Sequence, residues 1–570
     1  MLSLINLFDK DDKFHLIILL FLFVLSGFIE VIGIASIAPF ITLFKSPEIV
    51  TSNTLYIEFI SFFNLSTYDA TIVIGVMIII FFTISNFLTA YALWRSVRFT
   101  AFQQHKITMK VIKKYLYQPY DFYLKNNASL ISKNILHETG VVCDLVILPA
   151  LQFFSKIVIV LSVSLFLIVV NYKIFLSTVL ILGFIYFYIY RVIKKKIKGY
   201  GNKKIIMNKD KYKYVNDAFS DIKNVKFYEV EKSFLDKLDN PTKEFSFLTA
   251  KSTIMSVLPR YILEIIVFGG VFAILLYYLS QNYNIYEESP IIGIFIIAAY
   301  RVLPLIQHIY QNYTIFVFNS PSTGLIKDIY NLQESCFTKS SKPLFERKLE
   351  IKNIKFSHGE NAILDGASIS IDKSQIVGLT GVSGQGKTTI IDILLGFHTK
   401  FNGEILLDGK TLSKNDIINM RSIVGYVSQD MHLISMSYKE NIAYGVKQSE
   451  INMNLISQVT KIVELEDLVN NFEKKEDTVL SDNAMNISGG QKQRILLARS
   501  LYRLPEILVL DESTNALNED LEKRILLNIK ERFPMITILL VTHRSSAHNL
   551  CDKIYELSDK NIKLKRKNNE

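Results

Sequence analysis

Cysteine is nearly missing: Cys143, Cys336 and Cys551 are the only three in 570 positions. An odd, scattered set supplies neither a disulfide framework nor the clustered spacing of a metal site, which excludes redox chemistry. Lysine and arginine are missing from two particular stretches, 46–70 and 281–289, although the chain carries 64 of them against 53 acidic residues. A basic leader is also lacking, because Asp9, Asp11 and Asp12 precede the first apolar run. That run is too long for the apolar core of a signal peptide and is read as a retained helix.

Apolar residues make up half of the chain, too many for an ordinary soluble protein of this length, and 570 residues suffice for two units. They cluster before about residue 320 in segments of roughly 20 or more, the length that crosses a bilayer core of about 30 Å. We read six spans, at about 14–40, 71–94, 148–170, 174–191, 260–280 and 290–313. The lysine-rich stretch Arg191–Lys251 contrasts with the two segments lacking basic residues, which puts the basic loops and both termini on the cytoplasmic side. The net charge of +11 is then explained by topology and anionic lipid, and no nucleic-acid partner is needed. Between the first two spans, Leu55, Phe59, Ile60, Phe62 and Phe63 suggest a short amphipathic outer helix, with an irregular apolar loop as the alternative. Residues 1–325 are thus a helical membrane domain, 326–348 a linker and 349–570 a second domain ending in a frayed Lys-rich tail from Lys560.

In the second domain Gly381 to Thr389 reads G-V-S-G-Q-G-K-T-T and fits G-x-x-x-x-G-K-S/T. Gly381, Gly384 and Gly386 let the backbone turn tightly, so that successive N–H groups and a helix N-terminus converge on one anion. Ser383 and Thr389 lie in the same cradle, Lys387 reaches the β- and γ-phosphates, and Thr388 offers a hydroxyl to Mg²⁺. The preceding Gln375 to Leu379 reads as the buried strand such a loop must follow. Further on, Ile507 to Leu510 is an apolar strand that delivers Asp511 and Glu512 to the carboxyl edge of a parallel sheet. There Asp511 would hold Mg²⁺ through water.

The segment Ser488, Gly489, Gly490, Gln491 ahead of that strand resembles the signature of the ATP-binding-cassette (ABC) family, from about Leu349 to the C-terminus. The fold class expected is an α-helical six-span membrane domain joined to an α/β P-loop NTPase (ABC) domain. The resemblance implies that ATP and Mg²⁺ are cofactors and that Glu512 orients the attacking water. It further implies that Gln429 touches the metal and faces the membrane domain, that His543 contacts the γ-phosphate, and that His358 stacks on adenine. The S-G-G-Q segment completes the partner chain's ATP site, hence a homodimer. In the family's exporters, loop tips, here near Pro119–Leu124 and Asn216–Phe227, press on the ATPase. Three departures stand out. His358 replaces an aromatic, usually Tyr; Ile487 replaces Leu; and Asn515-Ala516-Leu517-Asn518 replaces S-A-L-D, which removes an interface carboxylate and is expected to slow turnover.

Charges within the spans are costly and usually face a cavity or a partner. They are Glu30, Arg260, Glu264 and Arg301, and Arg260 and Glu264 are spaced to pair on one helix face. The stretches Phe28 to Glu30, Ala38 to Leu43, Pro259 to Glu264 and Ala299 to Pro304 resemble the bacterial flippases for lipid-linked oligosaccharides (PglK type). This implies a bacterial inner-membrane protein that moves a polyprenyl-diphosphate oligosaccharide to the periplasmic leaflet for protein glycosylation, with Arg260, Arg301 and Glu30 as substrate candidates. An exporter of a lipid, drug or peptide, and an ATP-dependent membrane sensor, are the alternatives.

Overall fold

The computed structural model describes residues 8–35, 66–280, 285–334, 342–382, 384–429, 432–480, 487–512, 517–542, 544 and 549–565. Side chains are described for fewer, and those of 177–190 and 285–301 are not among them. The expected amphipathic stretch 55–63, Ser383, Asn515, Ala516, His543, Cys336 and the side chain of Arg301 therefore lie outside the described residues. The chain divides into two compact units, Met1–Gln118 with Tyr123–Glu334, and Pro119–Phe122 with Ser335–Glu570.

The first unit is helical. Apolar runs without internal proline give α1 (Lys10–Ala35) and α2 (Thr67–Leu116), the latter opened by Ser66, whose Oγ accepts from the Asp69 N–H at 3.1 Å. After α3 (Tyr120–Lys125) come α4 (Ala128–Lys133), α5 (Thr139–Val142), α6 (Leu148–Ser220), α7 (Ile222–Phe227), α8 (Glu231–Ser280) and α9 (Ile285–Tyr330). Two π-helical turns, Asn134–Glu138 and Cys143–Ile147, interrupt the path from α4 to α6. Such turns insert an extra residue and re-aim the side chains around them. Here Glu138 is brought to 2.9 Å from Lys133 Nζ, with both side chains 2% exposed or less.

The helical run α6 is not one straight rod. Val163 and Leu167 pack with Leu305, whereas Ile197 packs with Phe318 on the same helix α9. A straight helix would hold Val163 and Ile197 about 50 Å apart, yet their partners on α9 are separated by about 20 Å. His137 Nδ1 is 3.4 Å from Asn208 Nδ2, and Val141 lines one small cavity together with Lys204. These pairings have antiparallel register about Tyr172, so the run doubles back between the third and fourth expected spans. Among the described residues, Lys10–Ile32, Ile72–Leu116 and Ala128–Val169 are long and apolar enough to cross a membrane.

Two boundaries differ from the sequence expectation. Helix α9 continues through Tyr330 because Ile326 and Ile329 keep helical spacing and are buried, so the expected linker at 326–348 starts later. The tail is not frayed from Lys560: Asn561–Lys565 forms a strand paired with Lys553–Ser558. Asp559 and Lys560 take φ of 50° and 65°, the left-handed pair of a two-residue hairpin turn. Its lysines project from a strand whose Ile562 enters the core, a pattern that charge count alone obscures.

The second unit has twelve strands among its described residues. β1 (Lys348–His358), β2 (Asn361–Asp372), β4 (Asn402–Leu407) and β5 (Lys410–Thr411) form an antiparallel sheet ordered β2-β1-β4-β5. β3 (Ile376–Gly381), β6 (Val424–Val427), β9 (Ile507–Asp511), β10 (Thr537–Val541), β11 (Lys553–Ser558) and β12 (Asn561–Lys565) form a sheet ordered β12-β11-β3-β10-β9-β6, parallel except for the β11–β12 pair. β7 (Met436–Ser437) pairs with β8 (Val479–Leu480). Along β9, Ile507 and Val509 enter one apolar cluster while Leu508 and Leu510 enter another. Burial on both faces is what a parallel sheet covered by helices requires, and it leaves the carboxyl edge as the open end of the fold.

Candidate functional site

β3 ends at Gly381, and α10 (Lys387–Leu394) begins six residues later with Gly386 as N-cap. Gly384 and Gly386 have φ of 81° and 106°, which L-residues rarely adopt, so glycine at these positions lets the chain turn into the helix start. A Cβ on Gly386 would also meet Ile363 Cγ2 at 2.7 Å. Gly386→Ala is therefore expected to weaken nucleotide binding about tenfold through strain of this kind. Titration with a fluorescent ATP analogue checks this, and an unchanged Kd would contradict it.

Lys387 Nζ donates to the Gly381 carbonyl at 2.8 Å and lies 3.6 Å from Glu512 Oε1. Gln429, just beyond β6, donates from Nε2 to Glu512 Oε2 at 3.0 Å. Glu512 itself has φ of 48°, a strained conformation for a non-glycine residue. Its N–H donates to the Val541 carbonyl at 3.2 Å, which ties the end of β9 to β10. Lys387, Gln429 and Glu512, three residues chosen from distant parts of the sequence, thus meet at one edge.

Asp511 is 1% exposed, and neither carboxylate oxygen has a hydrogen-bond partner among the described residues. Burial pushes its pKa up to about 6, with Glu512 and Asp392 adding to the shift and Thr388 and Lys387 offsetting part of it. An orphaned buried carboxylate beside Thr388 fits a divalent cation, which would be held by Asp511, Thr388 and Gln429. A carboxyl whose folded pKa is raised contributes most at low pH, and that contribution is lost as pH rises through about 6. Asp511→Asn should therefore stabilise the metal-free protein at pH 7.5 by up to about 3 kcal/mol. At pH 4.5 the gain should fall to about 1 kcal/mol. Thermal melting in a chelator at both pH values tests this, and equal shifts at the two would contradict it.

Ser488 and Gln491 have a further, local role that the sequence reading missed. Ser488 Oγ accepts from the Gln491 N–H at 3.2 Å, and Gln491 Oε1 accepts from the Ser488 N–H at 2.9 Å. The S-x-x-Q spacing is itself the signal for this capping box, which opens α11 (Gly489–Tyr502) with Gly489 and Gly490 in its first turn. Asn518 likewise caps α12 (Glu519–Arg532), accepting from the Leu521 N–H at 2.8 Å. An aspartate there would make the same cap, so the replacement preserves the local fold.

His358 ends β1 and is exposed, its ring edge-on to Phe356 at 5.0 Å and to His398 at 5.4 Å. His398 Nδ1 in turn lies 2.9 Å from Asp121 Oδ1, and Pro119–Phe122 belongs to this same unit. Of the expected substrate residues, Arg260 Nε pairs with Glu264 Oε1 at 2.6 Å, as their spacing allowed. Glu30 is 5% exposed, on the α1 face that packs through Gly27 and Val31 onto residues 158–167. Lys156 and His308, charged or titratable positions inside expected spans, were overlooked in the sequence; His308 has Lys156 and Arg260 as its charged neighbours.

Residues 364–515 match the ABC transporter family, and residues 16–300, half of the chain, match the ABC transporter transmembrane region. The chain is 34% identical over 212 residues to an ATP-dependent lipid A-core flippase of Ralstonia nicotianae, covering 37% of this chain and 36% of that protein. It is 32% identical over 234 residues to the leukotoxin translocation ATP-binding protein LktB of a Pasteurella haemolytica-like species, covering 41% of this chain and 33% of the other. These two matches therefore take in about a third of the relatives' length. A lipid A-core flippase of Cupriavidus pinatubonensis is 24% identical over 464 residues, with 79% and 77% coverage. A solved bacterial Atm1-family ABC exporter with ATP bound shares the fold, with a TM-score of 0.76 at 18% identity over 97% of this chain and 95% of that one. With a P-loop and Asp-Glu edge in one match and the helical half in the other, in that family's order along the chain, this protein belongs to the ABC transporter family.

Proposed function

We propose that the chain is one half of a homodimeric, ATP-driven exporter in a bacterial cell membrane, with its cassettes in the cytoplasm and an amphiphilic lipid as cargo. The observation that carries this reading is the convergence of Lys387, Gln429, Asp511 and Glu512 at one sheet edge, downstream of long apolar helices. Mg²⁺, when bound with ATP, supplies charge neutralisation at the phosphates. The P-loop amides and Lys387 bind the phosphate chain, and His358 stacks on the base. Glu512 orients water for attack, Gln429 holds Glu512, and His543 contacts the terminal phosphate. Phosphoryl transfer needs positioning and electrostatics of this kind more than covalent chemistry. The α11 N-terminus, opened by Ser488, completes the partner's site. Nucleotide then biases a two-state equilibrium of the membrane halves.

Lipid cargo is supported by the similarity to lipid A-core flippases. The finer reading, a polyprenyl-diphosphate oligosaccharide moved for protein glycosylation, is supported by the resembling membrane segments and by Lys156, Arg260 and His308 as neighbours suited to a diphosphate. The similarity to a leukotoxin translocation protein favours a peptide exporter as the second reading. The test is ATP-driven flux in proteoliposomes, with Glu512→Gln as control. Flux of the diphosphate-linked sugar that stops in this variant, and falls per ATP hydrolysed in Arg260→Ala, is expected. Flux only of another lipid or a peptide removes the finer reading, and hydrolysis with no flux at all removes the exporter in favour of a sensor.

A further inference from the structure

Arg544 follows His543 directly in sequence, yet its side chain is committed elsewhere. Arg544 Nη1 donates to the Leu517 carbonyl at 2.6 Å and lies 3.4 Å from Glu522 Oε2. Glu522 is 2% exposed, and its Oε1 has no hydrogen-bond partner among the described residues, so the guanidinium offsets a buried charge. The backbone of Arg544 is fixed too, because its N–H donates to the buried Thr542 Oγ1 at 3.1 Å, across the position of His543. Leu517 is buried and immediately precedes the Asn518 cap of α12. Glu512 is thus held by Val541, and Leu517 by Arg544.

We propose that Arg544 is a positioning residue that clasps Leu517, downstream of β9, to the chain beyond β10, so that Glu512 at the end of β9 keeps its place through the catalytic cycle. The inference rests on the ATPase reading of the cassette. Physically, a planar guanidinium with several donors is suited to hold a backbone carbonyl and a carboxylate at once. Each of the two segments begins at a strand end, Asp511 or Val541, in adjacent parallel strands. Without the clasp each would relax from that end independently, and Glu512 would lose its register at the sheet edge.

The experiment compares wild-type full-length protein with Arg544→Met and with the double variant Arg544→Met/Glu522→Met, which removes both buried charges and so guards against simple unfolding. The readouts are kcat, KM for ATP, melting temperature, and hydrogen exchange at 512–518 and 542–545. In the double variant kcat is expected to fall about tenfold with KM and melting temperature unchanged, while exchange quickens in both segments together. Exchange that quickens only around residue 544, or a wild-type kcat in the double variant, overturns the clasp and leaves an ordinary ion pair. If wild-type protein shows no ATP hydrolysis that depends on Glu512, the ATPase reading fails, and the exchange pattern alone then decides whether the clasp exists.

Discussion

Glu512→Gln is expected to reduce ATP turnover by about 10²–10⁴-fold while nucleotide still binds. The side chain would keep its shape, and Gln429 would keep a hydrogen-bond acceptor at the distance now seen, 3.0 Å. What disappears is the negative charge that orients and polarises water. The same charge lies 3.6 Å from Lys387 Nζ, which in this arrangement is drawn toward Glu512 and the Gly381 carbonyl. Incoming phosphate must compete for that lysine, so neutralising Glu512 should also tighten ATP binding by a few-fold. Steady-state hydrolysis and nucleotide titration on the same preparation separate the two effects. Turnover within tenfold of wild type would remove Glu512 from the reaction. Weaker ATP binding would instead mean that the Lys387–Glu512 contact helps to hold the loop in its receptive form.

Lys133→Met should be the most damaging substitution in the helical half, destabilising it by about 3–5 kcal/mol. Lys133 and Glu138 are only 1% and 2% exposed, and their Nζ–Oε1 distance is 2.9 Å. Removing the lysine strands a buried carboxylate. His137, 3.5 Å from Glu138 Oε1 and partly exposed, and Lys204, hydrogen-bonded to Asn319 Oδ1 at 2.9 Å, are too committed or too wet to replace it fully. Lys133→Met/Glu138→Leu, which removes both charges, should recover much of the loss, because well-packed apolar groups commonly match a buried pair. Melting curves of the two variants and wild type decide the matter. A single variant as stable as wild type, or a double variant no better than the single one, would show that the pair contributes little.

The cassette was largely legible from residue order because its signals are local. A P-loop needs glycines and Lys387 within nine positions, and a buried strand ending in Asp-Glu announces the sheet edge where ligands bind. The S-x-x-Q spacing at Ser488 to Gln491 was equally legible as a capping box, though overshadowed by its resemblance to the ABC signature. The membrane half was legible as lengths, charge asymmetry, a few family-like stretches and the i, i+4 spacing of Arg260 and Glu264. Lys156 escaped notice within an apolar span, and Glu30, expected to face a cavity or a partner, is buried on the α1 face that packs onto residues 158–167.

By itself, then, the amino-acid sequence determined the two-part architecture, the phosphate cradle and the pair of acids at the end of β9, since each depends on neighbours within a few residues. Tertiary structure alone decided that Gln429 and Lys387 both reach Glu512, that Arg544 spans to Leu517 and Glu522, and that two π-helical turns bury Lys133 against Glu138. It also decided that α6 doubles back near Tyr172, through partners on α9. These are contacts between side chains and backbones brought together by packing, often far apart in sequence. Their energies depend on burial and on angles of a few degrees, and neither quantity exists until the helices and sheets have met.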